Sequence, residues 1–170
     1  GWRFRYDDTP MTLYTGTSGY SYKEWKGSFY PEDLKNDQML HHYGTRLNAV
    51  EINNTFYRLP KASVLDTWAD QVPDAFRFSI KASRRITHMK RLKGADDETD
   101  YLLKTVETLG AKLGVILYQL PPNLKADLDR LRGFLELLHP GIRSVFEFRH
   151  ESWIDDAVHD LLREHGCALC

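Results

Sequence analysis

Glu147 and Arg149 stand two residues apart in the stretch from Val145 to Trp153. Apolar and polar residues alternate there. On a β-strand that places both charges on one face and Phe146 and Phe148 on the other. The same spacing recurs upstream. Glu51 and Asn53 share a face of the run Ala49–Asn53, and Ser79 and Lys81 alternate with Phe78 and Ile80. Gln119 closes an otherwise apolar run that begins at Leu113, sharing a face with Leu117. If these runs are parallel neighbours, seven polar groups meet at the strand ends, two of them acids and two of them bases. Carboxylates so placed serve as general acid and base, which makes Glu51 and Glu147 the catalytic candidates. Lys81 and Arg149 would hold an anion. The competing reading is an ion network that satisfies itself and only closes the sheet. Buried charges need partners, so each acid should have a cation or several donors in reach. Same-face positions on one strand diverge. Glu147 and Arg149 are therefore expected to reach across to neighbouring strands, with Lys81, Asn53 or Gln119 as partners.

The loops after the strands supply further candidates. Thr17 and Ser18 lie between Gly16 and Gly19 in a glycine-punctuated loop. It is not a P-loop, because no Gly-Lys-Ser/Thr follows, but its glycines let backbone N–H groups approach an anion. The next stretch is crowded with Tyr20, Tyr22, Trp25, Phe29 and Tyr30, either a stacking platform for a ring or a loop packed over the mouth. Between Lys81 and Lys93 lie Arg84, Arg85, Lys90 and Arg91, with His88 among them and no acid. This is either a solvated loop or an anion-steering one, since α/β proteins bind ligands directly after parallel strands. The ligand-binding candidates are thus Thr17, Ser18, Asn53, Tyr57, Lys81, His88, Gln119, Arg149 and His150. No cofactor is expected. A metal is not favoured, because Lys81 and Arg149 compete for the carboxylates that would ligate it.

These residues need a scaffold of alternating strands and helices. Strands are expected at Thr12–Gly16, Ala49–Asn53, Phe76–Ala82 and Leu113–Gln119, then at the Glu147 stretch, with a last one opening at Gly166. Helices are expected at Asp37–Tyr43 and from a Ser63 cap through Asp70, with Val64, Leu65 and Trp68 on its buried side. A third opens on Asp96, Asp97 and Glu98, as the helix dipole favours, and Tyr101, Leu102, Thr105, Val106 and Leu109 form its apolar stripe. A fourth follows Leu128, Leu131, Phe134, Leu135 and Leu138, and a fifth runs Asp155–His165. Five strand–loop–helix units and one more strand, with long loops after strands and short ones after helices, predict an α/β fold: a TIM (β/α) barrel. It is incomplete, with about six parallel strands and five helices where a full barrel has eight strands. An open doubly wound sheet is the structural competitor, and it lacks its dinucleotide glycine pattern here.

At 170 residues the chain suits one domain, read as residues 11–170 behind a poorly ordered extension, residues 1–10. A net charge of −1 argues against a surface coated in nucleic acid or held on a membrane by charge. No apolar run reaches a membrane span and no signal peptide pattern is present, so a cytoplasmic location is expected. Cys167 and Cys170 are three apart on a strand, facing opposite sides, too divergent for a disulfide or a shared metal.

The sequence resembles one family. Its signature stretches are Gly16–Tyr22, Trp25–Gly27, Phe29–Pro31, Glu51–Tyr57, Phe76–Phe78, Ile86–His88, Gln119–Pro122 and Glu147–His150 with Trp153. In that order they are similar to the YecE-like family, also called domain of unknown function 72, from Met11 to Cys170. The resemblance implies a TIM barrel and brings no catalytic assignment. Tyr20 stands where Trp is more usual. The family pattern continues with further strands, one bearing Arg-x-His-Gly and a later one an Asn pair; neither stretch follows here. Two function classes fit. One is an enzyme acting on a small phosphate-bearing or otherwise anionic substrate, with phosphodiester hydrolysis as one candidate reaction. The other is a non-catalytic binder of nucleic acid or a metabolite. Self-association through unclosed barrel edges is a further expectation.

Overall fold

Alternation along the strands sorts side chains onto two faces, and that sorting builds the molecule. The computed structural model describes residues 12–170; the expected N-terminal extension lies outside the described residues. Six strands form one sheet: β1 (Gly16–Ser18), β2 (Ala49–Ile52), β3 (Arg77–Lys81), β4 (Leu113–Gln119), β5 (Ser144–Glu147) and β6 (Ala168–Leu169). Every adjacent pair is parallel and the order is β1-β2-β3-β4-β5-β6. The helices are α1 (Met39–Gly44), α2 (Ala62–Asp70), α3 (Asp96–Val106), α4 (Leu128–Leu135) and α5 (Asp156–Glu164). This is the α/β fold expected, in the strand order of a (β/α) barrel. Among the described residues β1 and β6 each have one strand neighbour, and the expected self-association would act through their free sides. No described helix is long and apolar enough to cross a membrane.

One face of the sheet is the core. Val50, Ile52, Phe78, Ile80, Ile116, Tyr118 and Phe146 are buried there, in one cluster with Leu65 of α2, Leu102 of α3, Leu131 of α4 and Leu161 of α5. The other face carries Glu51, Ser79, Lys81, Gln119 and Glu147. Register aligns Ser18 with Glu51, Glu51 with Ser79, Lys81 with Leu117, and Gln119 with Glu147. A register shift between Phe78 and Ser79 would threaten this parity. It is absorbed at the start of β4, where Gly114 lies so close that a Cβ would stand 3.2 Å from the Phe78 carbonyl oxygen. From Val115 onward the faces agree again.

Several boundaries differ from expectation. β1 starts at Gly16 rather than Thr12: the Asn48 side chain binds the Leu13 carbonyl and the Thr15 amide, and the Thr15 carbonyl is the first to meet β2, accepting from the Ala49 amide at 3.2 Å. β5 ends at Glu147; Phe148 leaves the strand to stack on Trp153 at 4.5 Å. α2 begins at Ala62 with Lys61 at its N-cap, so Ser63 lies inside the helix and Val64 is exposed. Tyr101 is also exposed, off the buried stripe of α3. α4 stops at Leu135, and Leu138 belongs to the turn after it. Asp127 and Asp155 cap α4 and α5 through bonds accepted from the amides of Arg130 and Ala157. Cys167 and Cys170 are both free thiols.

β1 is held by close approach. A Cβ on Gly16 would stand 2.0 Å from the carbonyl oxygen of Ala49, the strand that β1 pairs with. Overpacking of this kind costs about 1–3 kcal/mol. Gly16→Ala should therefore lower stability by at least that much in urea unfolding, and hydrogen exchange should show β1 opening before β3 and β4.

Candidate functional site

The polar face ends in three groups of side chains, each positioned by a different local device. The first joins β1 and β2. The Ser18 hydroxyl donates to Glu51 Oε1 at 3.1 Å and accepts from Asn53 Nδ2. Asn53 lies just past β2, at the N-cap of the short turn Asn54–Phe56. Thr17 is not part of this group. It aligns with Val50, and its hydroxyl and amide both meet the Tyr43 hydroxyl in the helix layer, at 2.9 and 2.8 Å. Adjacent residues of a strand face opposite sides, so Thr17 and Ser18 do not share a site. Tyr22 completes the loop by donating to the Ser18 carbonyl. A cavity of about 150 Å³ opens behind it, between Tyr20, Tyr22, Asn53, Asn54 and Trp68. The aromatics of this loop otherwise pack on one another: Trp25 lies 5.7 Å from Phe29 and 6.1 Å from Tyr30.

The second group joins β4 and β5. Gln119 Nε2 donates to Glu147 Oε2 at 2.8 Å, and Arg149 Nε donates to Glu147 Oε1 at 2.7 Å. Glu147 thus reaches across to the neighbouring strand as expected. Arg149 does not; it folds back onto Glu147. The divergence argument applies to residues on one strand, and Arg149 is already in the exit loop. Partial burial pushes the Glu147 carboxyl up, but the bonds from Gln119 and Arg149 and the charge of Lys81 outweigh it and hold it below the ordinary carboxylate range. His150 turns away: its Nδ1 accepts from the Ser152 amide at 3.1 Å and meets the Ser152 hydroxyl at 2.9 Å, capping the turn Glu151–Trp153.

The third group lies over β3. The Lys81 ammonium sits 5.2 Å from the centre of the Phe56 ring, and the His88 ring meets Phe56 edge-on at 4.9 Å. His88 Nδ1 is engaged by the Thr87 hydroxyl at 2.9 Å. Burial, then the charges of Lys81, Arg149 and Arg91, push the His88 imidazole below its ordinary value of 6.5, so it is neutral at pH 7. Among the described residues Lys81 has no carboxylate within 4.0 Å. The basic loop is divided. Arg85–Met89 forms one wide helical turn, and Glu98 of α3 takes Lys90 at 2.6 Å and Arg85 at 3.9 Å. Arg84 instead stands 5.5 Å from the Tyr57 ring centre. Two of the four loop cations are therefore tied to α3.

Phe56 and Thr55 were not among the sequence candidates. Thr55 is fully buried, and its hydroxyl joins the Ile52 and Lys81 carbonyls at 2.8 and 2.7 Å. A small hydroxyl residue in a turn directly after a strand was the available signal. No three His, Cys, Asp or Glu side chains among the described residues are placed to hold a metal ion together.

The profile of the family described as "Protein of unknown function DUF72" matches residues 14–170. UPF0759 protein YecE of Escherichia coli (strain K12) is 34% identical over 112 residues, which is 65% of this chain and 41% of that protein. UPF0759 protein YunF of Bacillus subtilis (strain 168) is 22% identical over 156 residues, 87% of this chain and 54% of that protein. A crystal structure of a DUF72 family protein from Thermotoga maritima superposes with a TM-score of 0.79 at 30% identity, over 92% of this chain and 63% of that one. A second, from Enterococcus faecalis, gives 0.76 at 19% identity and supports the fold alone, over 93% of this chain and 60% of that one. The chain spans about half the length of the curated relatives it matches.

Removing the Glu147 carboxylate leaves Gln119 and Arg149 without their acceptor. Charge-assisted hydrogen bonds contribute about 1.5–3 kcal/mol, and the exposure of Arg149 reduces its share. Glu147→Ala should cost about 1–2 kcal/mol at pH 7. Because the folded carboxyl titrates below its ordinary value of 4.5, this contribution is complete above pH 4.5 and is lost as pH falls through the folded pKa. Urea melts of parent and variant should converge in acid; a gap that persists at low pH would assign the loss to packing.

Proposed function

The chain belongs to the DUF72 family, and we propose that it binds a small phosphate-bearing anion at the C-terminal ends of its strands. The supporting observation is an imbalance of charge. Lys81, Arg91 and Arg149 lie close enough to depress the pKa of His88, while the acid among them, Glu147, has both oxygens occupied by Gln119 and Arg149. The six strands in sequence order are compatible with an arc of a (β/α) barrel, a fold that carries its sites on this face. In this reading Lys81 and Arg149 hold the anion and His88 exchanges a proton with it. Glu51 has one oxygen bonded to Ser18 and serves as the base that activates water if the ligand is hydrolysed as a phosphodiester. Glu147 is then a positioning residue, holding Arg149 in place.

Two measurements with sulfate test this reading; its charge is constant over the window of about pH 5–8 in which histidine titrates. Sulfate should raise the thermal midpoint of the chain, and Lys81→Met should remove most of that shift. No stabilisation by sulfate at any pH would overturn the anion site. The second measurement is the pH dependence. An anion favours protonated His88, so binding takes up a proton. Affinity should rise as pH falls through the region below 6.5, the ordinary histidine value, and His88→Asn should flatten that slope. A slope unchanged in the variant would place the titrating group elsewhere.

A further inference from the structure

We propose that the anion bound at this site carries a flat ring one sugar away, making nucleotides the ligand class, with the phosphate at Lys81 and the base on Tyr57. This rests on the anion-binding reading and adds a second contact to it. Tyr57 is 70% exposed, which alone means little. What distinguishes it is how firmly its surroundings hold it. Its ring stands perpendicular to Phe56 at 5.1 Å, and Phe56 in turn lies 5.2 Å from the Lys81 ammonium. The turn carrying both rings is fastened to β3 at Lys81 itself, whose carbonyl accepts from the buried Thr55 hydroxyl at 2.7 Å. The exposed ring and the cation therefore pack on one and the same ring, Phe56, in a turn fastened to β3.

Arg84 adds the other half of a clasp. Its guanidinium stands 5.5 Å from the Tyr57 ring centre, on an exposed side chain. Aromatic faces and guanidinium planes are the two surfaces on which nucleobases stack. A ring drawn between Tyr57 and Arg84 gains both. Lys81 and Tyr57 both contact Phe56, at 5.2 and 5.1 Å, so a phosphate at Lys81 and a base on Tyr57 lie within the reach of one joining sugar.

The test compares sulfate, adenosine, adenosine 5′-monophosphate and a short oligothymidylate on the same chain by titration calorimetry. The monophosphate should bind about tenfold or more tightly than sulfate. Tyr57→Ala should abolish that advantage, bringing the monophosphate down to the affinity of sulfate measured on the same variant, while Tyr57→Phe keeps it. Adenosine alone should bind weakly. Equal affinity for sulfate and the monophosphate, or an advantage that survives Tyr57→Ala, overturns the ring contact and leaves the anion site standing. Failure of sulfate itself to bind overturns the anion site, and this proposal with it. The oligonucleotide arm separates two sources of the same chemistry. Affinity higher than the monophosphate's and falling steeply with salt identifies a strand; no gain over the monophosphate identifies a free nucleotide. Either outcome supports the nucleotide class.

Discussion

Burial of the helix-side face of β3 is the constraint on which the site depends. Phe78 and Ile80 are fully enclosed, and each such side chain contributes about 1.5–3 kcal/mol by leaving water. A one-residue slip would expose both and drive Ser79 and Lys81 into the core. Repulsion between Lys81 and Arg149 acts the other way. Near a protein surface, exposed charge interactions typically amount to about 1 kcal/mol or less. Burial wins, so cations can be gathered at the strand ends without threatening the fold. The core does not tolerate this crowding passively; it dictates where the charges stand.

The loops convert that sorting into a site, and they are stiffer than their sequences suggest. Thr55 ties the exit of β2 to the end of β3. Trp153 donates its indole N–H to the Leu124 carbonyl at 2.7 Å and stacks on Phe148, which fixes the loop that carries Arg149. Glu98 gathers Lys90 and Arg85 against α3, so an apparently free basic run presents only part of its charge to a ligand. Arg91 and Leu92 adopt left-handed backbone angles, φ 50° and 66°, where side chains are strained. The buried Leu92 side chain and its amide bond to the Ile86 carbonyl at 3.0 Å hold that turn in place.

How much of this was legible in the sequence depends on whether a residue sits inside a strand or past its end. Glu51, Ser79, Lys81, Gln119 and Glu147 could be assigned to one face from alternation alone, because burial enforces a period of two. The order of six parallel strands followed from the repeating strand–loop–helix units. Past the strand ends the rule stops. Arg149 was read as though β5 continued, whereas Phe148 leaves the ladder for Trp153. Thr17 and Ser18 were read together although neighbouring strand residues must part. The role of Phe56 was hidden for a different reason. Nothing in Asn54–Tyr57 announces that a ring there will meet the last lysine of β3 and a histidine seven residues after it; such meetings belong to tertiary packing.

The two cations are held in place by different means, and the difference bears on what Glu147 does. Lys81 projects from a strand end, its backbone fixed by β4 and Thr55 and its ammonium resting over Phe56. Arg149 has no strand beneath it. A free arginine side chain loses about 1.5–2 kcal/mol of rotamer freedom on being ordered, a loss that weakens any ligand obliged to order it. The bond to Glu147 orders it beforehand, and Gln119 in turn orders Glu147. Preorganisation lowers the cost of association without adding a contact. A carboxylate among cations would ordinarily repel an anion; here its charge is offset by Arg149, and under the proposed function an anion would meet a guanidinium already ordered.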